Sequence, residues 1–116
     1  QVEHEILDTK SALVPTSKDL QKKVTEAREI QKKRFKNSSI LTNSEMNIRD
    51  IDTYCVLDND TRAILLQAAR NLDLSARAYH RVLKISRTIA DLAGSEHITK
   101  EHISEALQYR PRQNTL

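Results

Sequence analysis

The sequence predicts an all-α domain, a compact bundle of about five helices. Three observations carry that expectation. Aromatic residues make up only 3% of the 116 positions, so the core has to be assembled from Leu, Ile, Val and Ala. That palette suits packed helices better than a pleated sheet. A single Gly and two Pro leave few tight turns. Apolar residues also recur at three- and four-residue intervals between Ser, Thr and Asp caps. At 13.3 kDa the chain is one domain with a modest core.

Residues 1–16 show no sustained period and carry Pro15, so they are expected to be an arm or linker. The chain opens on Gln1 rather than Met, which reads as a piece of a larger protein. The helical domain is expected over 17–110, with 111–116 as a tail. Its first helix starts at Thr16 or Ser17, where T-S-K-D offers a capping-box-like Thr16 and Asp19. Leu20, Val24, Ala27, Ile30 or Gln31, and Phe35 share one side. Lys32, Lys33, Arg34 and Lys36 close it with the charge that suits a helix C-terminus, and Asn37-Ser38-Ser39 breaks it.

A short second helix is expected after Asn43 or Ser44, with Met46, Ile51, Tyr54 and Cys55 facing inward. D-N-D-T at 58–61 caps a third, which carries Ile64, Leu65, Ala68, Ala69 and Leu72. Ser75 caps the fourth and Gly94 ends it in a left-handed turn. Thr99 caps the fifth, Ile98 and Ile103 sit in hydrophobic-staple positions, and Pro111 stops it.

Composition also excludes chemistry. A phosphate-cradling Walker loop needs two glycines, and this chain has one. The single cysteine, Cys55, rules out an internal disulfide and multi-cysteine zinc sites, and fits a reducing, cytoplasmic compartment. No apolar run approaches the ~20 residues of a membrane span. His4, His80, His97 and His102 show no ligand spacing, so no metal site is expected. The chain is therefore not expected to be an enzyme by itself.

The net charge of +3 hides a segregation. Residues 18–36 carry eight Lys/Arg against three acids, and residues 61–93 carry six against two. Between them, residues 37–60 carry one Arg against five acids. Internal complementarity is one reading of this alternation. The other comes from the fourth helix, whose apolar positions fill roughly 200° of arc at ~100° per residue. The remaining strip holds Arg77, Arg81, Lys84 and Arg87, with Asp91 its one carboxylate. Such an imbalance points to an anionic partner. Arg77 lies in the first turn after the Ser75 cap, where free backbone N–H groups already favour an anion.

At these residues the chain resembles a known family. L-S-A-R-A-Y and R-T-I-A-D-L within 74–110, V-T-E-A-R-E-I-Q-K-K-R-F at 24–35 and T-N-S-E-M at 42–46 are similar to the C-terminal region of the ComM-like, magnesium chelatase-like AAA+ ATPases. The resemblance implies the helical lid of an AAA+ module, with the P-loop, Walker B acids and arginine finger upstream. ATP and Mg2+ would then be bound through the parent chain and not by this fragment alone. The S-A-R string places a sensor 2 role on Arg77, acting on its own subunit's nucleotide or a neighbour's. Arg81, Lys84 and Arg87 would extend an anion-facing or coupling edge. The implied partners are the upstream core, neighbouring subunits of a ring and, through the parent, DNA undergoing branch migration in natural transformation; no membrane is implied. The alternatives are a self-sufficient DNA-binding helical module, with Lys32, Lys33, Arg34 and Lys36 on phosphates, or a protein interaction domain.

Overall fold

The computed structural model describes residues 17–109. The arm expected at 1–16 and the tail expected at 111–116 lie outside the described residues. Five α-helices follow in order: α1 (Ser17–Arg34), α2 (Ile48–Tyr54), α3 (Asn59–Asn71), α4 (Ala76–Leu92) and α5 (Lys100–Gln108), with a 3-10 turn at Asn43–Glu45. No strand occurs among the described residues. The all-α expectation holds.

The starts of α2, α3 and α4 are each fixed by a short polar side chain that satisfies an otherwise unpaired backbone N–H group. Asp58 accepts from the Thr61 N–H at 2.7 Å, and Ser75 Oγ accepts from the Ala78 N–H at 3.1 Å. Asn47 and Asp50 form a reciprocal box, at 2.8 and 3.1 Å, that starts α2. The expected single helix after Asn43 is thus split. Asn43–Glu45 makes one tight turn, and a new cap at Asn47 begins the α-helix proper.

Two helices end in the same backbone device. After α3, the N–H groups of Asp73 and Leu74 donate back to Arg70 and Ala69, with Asp73 left-handed at φ 53°. After α4, Gly94 and Ser95 donate to Asp91 and Ala90, with Gly94 at φ 70°. Glycine suits that conformation. The aspartate accepts it because its side chain is short and polar.

α4 is the spine, packed against α5, α1, α2 and the 3-10 turn. Val82, Leu83 and Ala90 meet Met46, Ile51, Leu65 and Ile103 in one continuous core. Full burial of Leu65 or Ile103 contributes about 1.5–3 kcal/mol each. Phe35 closes the core beneath α1, its ring edge-on to Tyr54 at 5.4 Å. Ile98 and Ile103 are both buried as a staple should be. By contrast, residues 17–26 of α1 are all exposed, and Ala27 is the first buried position along that helix.

Candidate functional site

α4 lies beside the Asn43–Glu45 turn and α2, and the space between them is an open groove of about 1020 Å³. Met46 and Ile51 form its buried floor, and the half-buried Ile85 and Ile89 form one wall. Ile48, 60% exposed, stands at the opposite wall. Arg77, Arg81 and Lys84 line the α4 side, and Arg49 lines the α2 side. The sequence pattern did not single out Arg49. Its place as the second residue of a short helix carries no signal until α2 is docked against α4.

The structure brings together three of the four cations expected on the basic edge. Arg77 and Arg81 are exposed. Lys84 is half-buried and donates from Nζ to the Ser44 carbonyl at 3.2 Å, leaving two further donors. Among the described residues none of Arg49, Arg77, Arg81 and Lys84 has a carboxylate within ion-pair distance. Arg77 is the second residue after the Ser75 cap, so its guanidinium and the first-turn N–H groups bias the same end of the groove toward anions.

Arg87 is the correction. The helical wheel puts it on the open edge, but it is 5% exposed. Its Nη2 donates to the Ser95 carbonyl at 2.9 Å and lies 3.2 Å from Asp91 Oδ1, and its Nη1 donates to the Glu96 carbonyl at 3.2 Å. The loop between α4 and α5 folds over it. Burial lowers its pKa from the ordinary arginine value, and the Asp91 carboxylate opposes that shift. An arginine held this way ties down a loop and is not free to meet a ligand.

Arg34 is a second correction. Expected among the DNA-phosphate contacts of α1, it grips Asp91 with both arms, Nη1 to Oδ2 at 2.7 Å and Nη2 to Oδ1 at 2.8 Å. Lys32, Lys33 and Lys36 remain exposed, with Lys32 3.9 Å from Glu29. Asn43 completes the buried network. Its Nδ2 donates to Asp91 Oδ2 and Thr88 Oγ1 at 2.8 and 3.1 Å, and its Oδ1 accepts from Arg34 at 2.9 Å. This polar knot ties α4 to the 3-10 turn and the end of α1 behind the groove, and through Arg87, whose Nη1 donates to the Tyr54 carbonyl at 3.4 Å, it reaches the end of α2. The i, i+4 spacing of Arg87 and Asp91 was its one visible trace in the sequence.

The described histidines, His80, His97 and His102, do not converge, and His4 lies outside the described residues. His102 Nδ1 accepts from the Thr99 N–H at 2.9 Å and so caps α5, whereas His80 lines the groove and His97 is exposed. No cluster of three or more His, Cys, Asp or Glu side chains placed to hold a metal occurs among the described residues. No described helix is long and apolar enough to cross a membrane.

Residues 15–110 match the family model described as the C-terminal part of magnesium chelatase, subunit ChlI. The chain belongs to this magnesium chelatase C-terminal family. Its S-A-R string falls on the groove end of α4, at Arg77. The chain is 47% identical over 96 residues to the competence protein ComM of Haemophilus influenzae, covering 82% of this chain and 18% of that protein. It is 36% identical over 105 residues to the uncharacterized protein YifB of Salmonella typhimurium, covering 90% and 20%. Against YifB of Escherichia coli the identity is 37% over 95 residues, covering 82% and 18%. The chain spans about a fifth of the length of these curated relatives. The expected kinship with ComM-like, magnesium chelatase-like C-terminal domains is thus met.

Proposed function

We propose that this magnesium chelatase C-terminal domain is the helical lid of an AAA+ ATPase, closing over ATP and Mg2+ held by an upstream core of the same polypeptide. The observation that supports it is the placement of Arg77. It lies in the first turn of a capped helix, at the mouth of an open groove, with no carboxylate competing for it among the described residues. A guanidinium there offers a rigid, permanently charged fork to phosphate oxygens. With one glycine the chain has no phosphate cradle of its own, so Arg77 senses a nucleotide that other residues bind. Arg81 and Lys84 continue that surface toward the core or a neighbouring subunit of a ring.

In this reading lid closure transmits hydrolysis to the ring in the cytoplasm. Kinship with the competence protein ComM supports DNA branch migration during transformation as the work performed. The deciding experiment is Arg77→Ala in a full-length protein carrying this domain. ATP turnover is expected to fall at least tenfold, consistent with roughly 1.5–3 kcal/mol for a lost charge-assisted phosphate contact. The urea midpoint of the 116-residue chain is expected to stay where it was. Unchanged turnover and ATP affinity would overturn the assignment.

One observation favours a second reading. Lys33 and Lys36, with Lys32 beside its 3.9 Å ion pair to Glu29, are exposed at and just past the end of α1. A DNA-binding module would bind duplex by itself, with a log–log salt slope of ~0.9 per phosphate neutralised. A lid would show little affinity for DNA at any salt concentration.

A further inference from the structure

The groove is larger than a single phosphate contact requires, and most of its lining surface is apolar. It follows α4 from Arg77 to Ile89, about 18 Å at 1.5 Å per residue. Ile48, Ile85 and Ile89 present apolar surface to it, with Met46 beneath, and no Phe, Tyr or Trp is there to stack on a base. Its cations are ordered. Arg77, Arg81 and Lys84 recur about once per helical turn along one wall, and Arg49 faces them from α2.

An apolar floor between unpaired cations spaced by one helical turn is complementary to one kind of object. We propose that this groove docks an acidic amphipathic helix of a partner protein. The partner's apolar stripe seats on Ile48, Ile85 and Ile89, and carboxylates repeated once per turn meet Arg49, Arg81 and Lys84. Lys84 reaches them with the donors left over from its bond to Ser44. The inference goes beyond the nucleotide reading and does not depend on Arg77 sensing ATP. The Arg34–Asp91–Asn43 knot holds the 3-10 turn against α4, and Arg87 ties it to the Tyr54 carbonyl of α2, so the lining is ordered before the helix arrives and little is lost on binding.

The probe is a labelled synthetic peptide of about four helical turns, with Leu at helical spacing on one face and Glu flanking that face. It is titrated into the 116-residue chain while anisotropy and the isoleucine methyl resonances are followed. Saturable binding is expected, with the methyl signals of Ile48, Ile85 and Ile89 shifting and those of Ile98 and Ile103, buried away from the groove, holding still. Arg49→Glu and Arg81→Glu, both at exposed positions, are each expected to weaken binding at least about tenfold without changing the melting temperature. A peptide with Gln in place of Glu should lose most of its affinity. Equal binding of the Gln peptide, no shift at the three isoleucines, or the same methyl shifts produced by ATP or single-stranded DNA would each overturn the proposal. So would the peptide's failure to bind because a second copy of the chain already fills the groove. None of these readouts involves ATP turnover, so the proposal and the lid reading fail separately.

Discussion

Arg34 and Asp91, 57 residues apart in sequence, face each other as a two-pronged pair at 2.7 and 2.8 Å, with side-chain exposures of 11% and 1%. Asp91 also takes Arg87 and Asn43, so one carboxylate serves the end of α1, the 3-10 turn and α4. Through Arg87 it reaches the loop before α5 as well. A carboxylate this deep persists because Arg34 and Asn43 hydrogen-bond it and Arg87 pairs with its charge.

Asp91→Ala leaves two buried guanidiniums without a counter-charge. The expected loss is about 3–5 kcal/mol of folding stability, read from urea unfolding of the 116-residue chain. A loss under about 1 kcal/mol would mean that water replaces the carboxylate and the knot contributes little.

Arg87 and Arg81 lie six residues apart on one helix and are expected to behave oppositely. Arg81→Ala should stay within about 0.5 kcal/mol of the parent, as exposed substitutions do. Arg87→Ala removes the donors to the Ser95 and Glu96 carbonyls and opens a hole beside Asp91, and should cost several-fold more. Amide hydrogen exchange in residues 93–97 should quicken in that variant alone.

Acid should loosen the caps first. Glu45 accepts from the Leu41 and Thr42 N–H groups, which hold its pKa below the ordinary 4.5, and Asp58 is held below its ordinary 3.8 by the Thr61 N–H. Both groups bind a proton more readily in the unfolded chain. Their stabilisation is therefore fully present above those ordinary values and is lost as pH falls through the lower folded ones. Asp58→Asn keeps a good cap and should match the parent at pH 7. Its stability should fall less steeply below about pH 5, as measured by thermal melts across pH.

Cys55 is 5% exposed, and burial pushes its thiol up to about 11. At pH 8 only about one molecule in a thousand carries the thiolate, the form that reacts. A disulfide reagent should therefore label the native chain very slowly. The rate should climb with urea in step with unfolding. Complete labelling within seconds under native conditions would contradict the burial.

The helices were legible because their ends are written locally. Ser75, Asp58, Thr99 and Gly94 stand where the caps and the turn are found. Asp73 hid its left-handed turn because an aspartate there looks like any polar loop residue. The N-x-x-D box at Asn47 was readable but lay within a stretch expected to be helical already. At the site, periodicity separated Arg77, Arg81 and Lys84 from the core correctly and misplaced Arg87. A wheel describes one helix and cannot show that a later loop will lie across it. Arg34 was hidden for the complementary reason. In a run of four cations, nothing local marks the one whose partner is 57 residues away.

The arrangement of α1 has a mechanical meaning. Its first ten residues are all exposed, and its far end is bolted to Asp91. From Lys18 to Arg34 the helix is a lever arm of about 24 Å, with its fulcrum at a single carboxylate. Torque applied at the exposed end bears on the same aspartate that ties α4 to the 3-10 turn beside the groove, so tilting α1 and reshaping the groove become one movement.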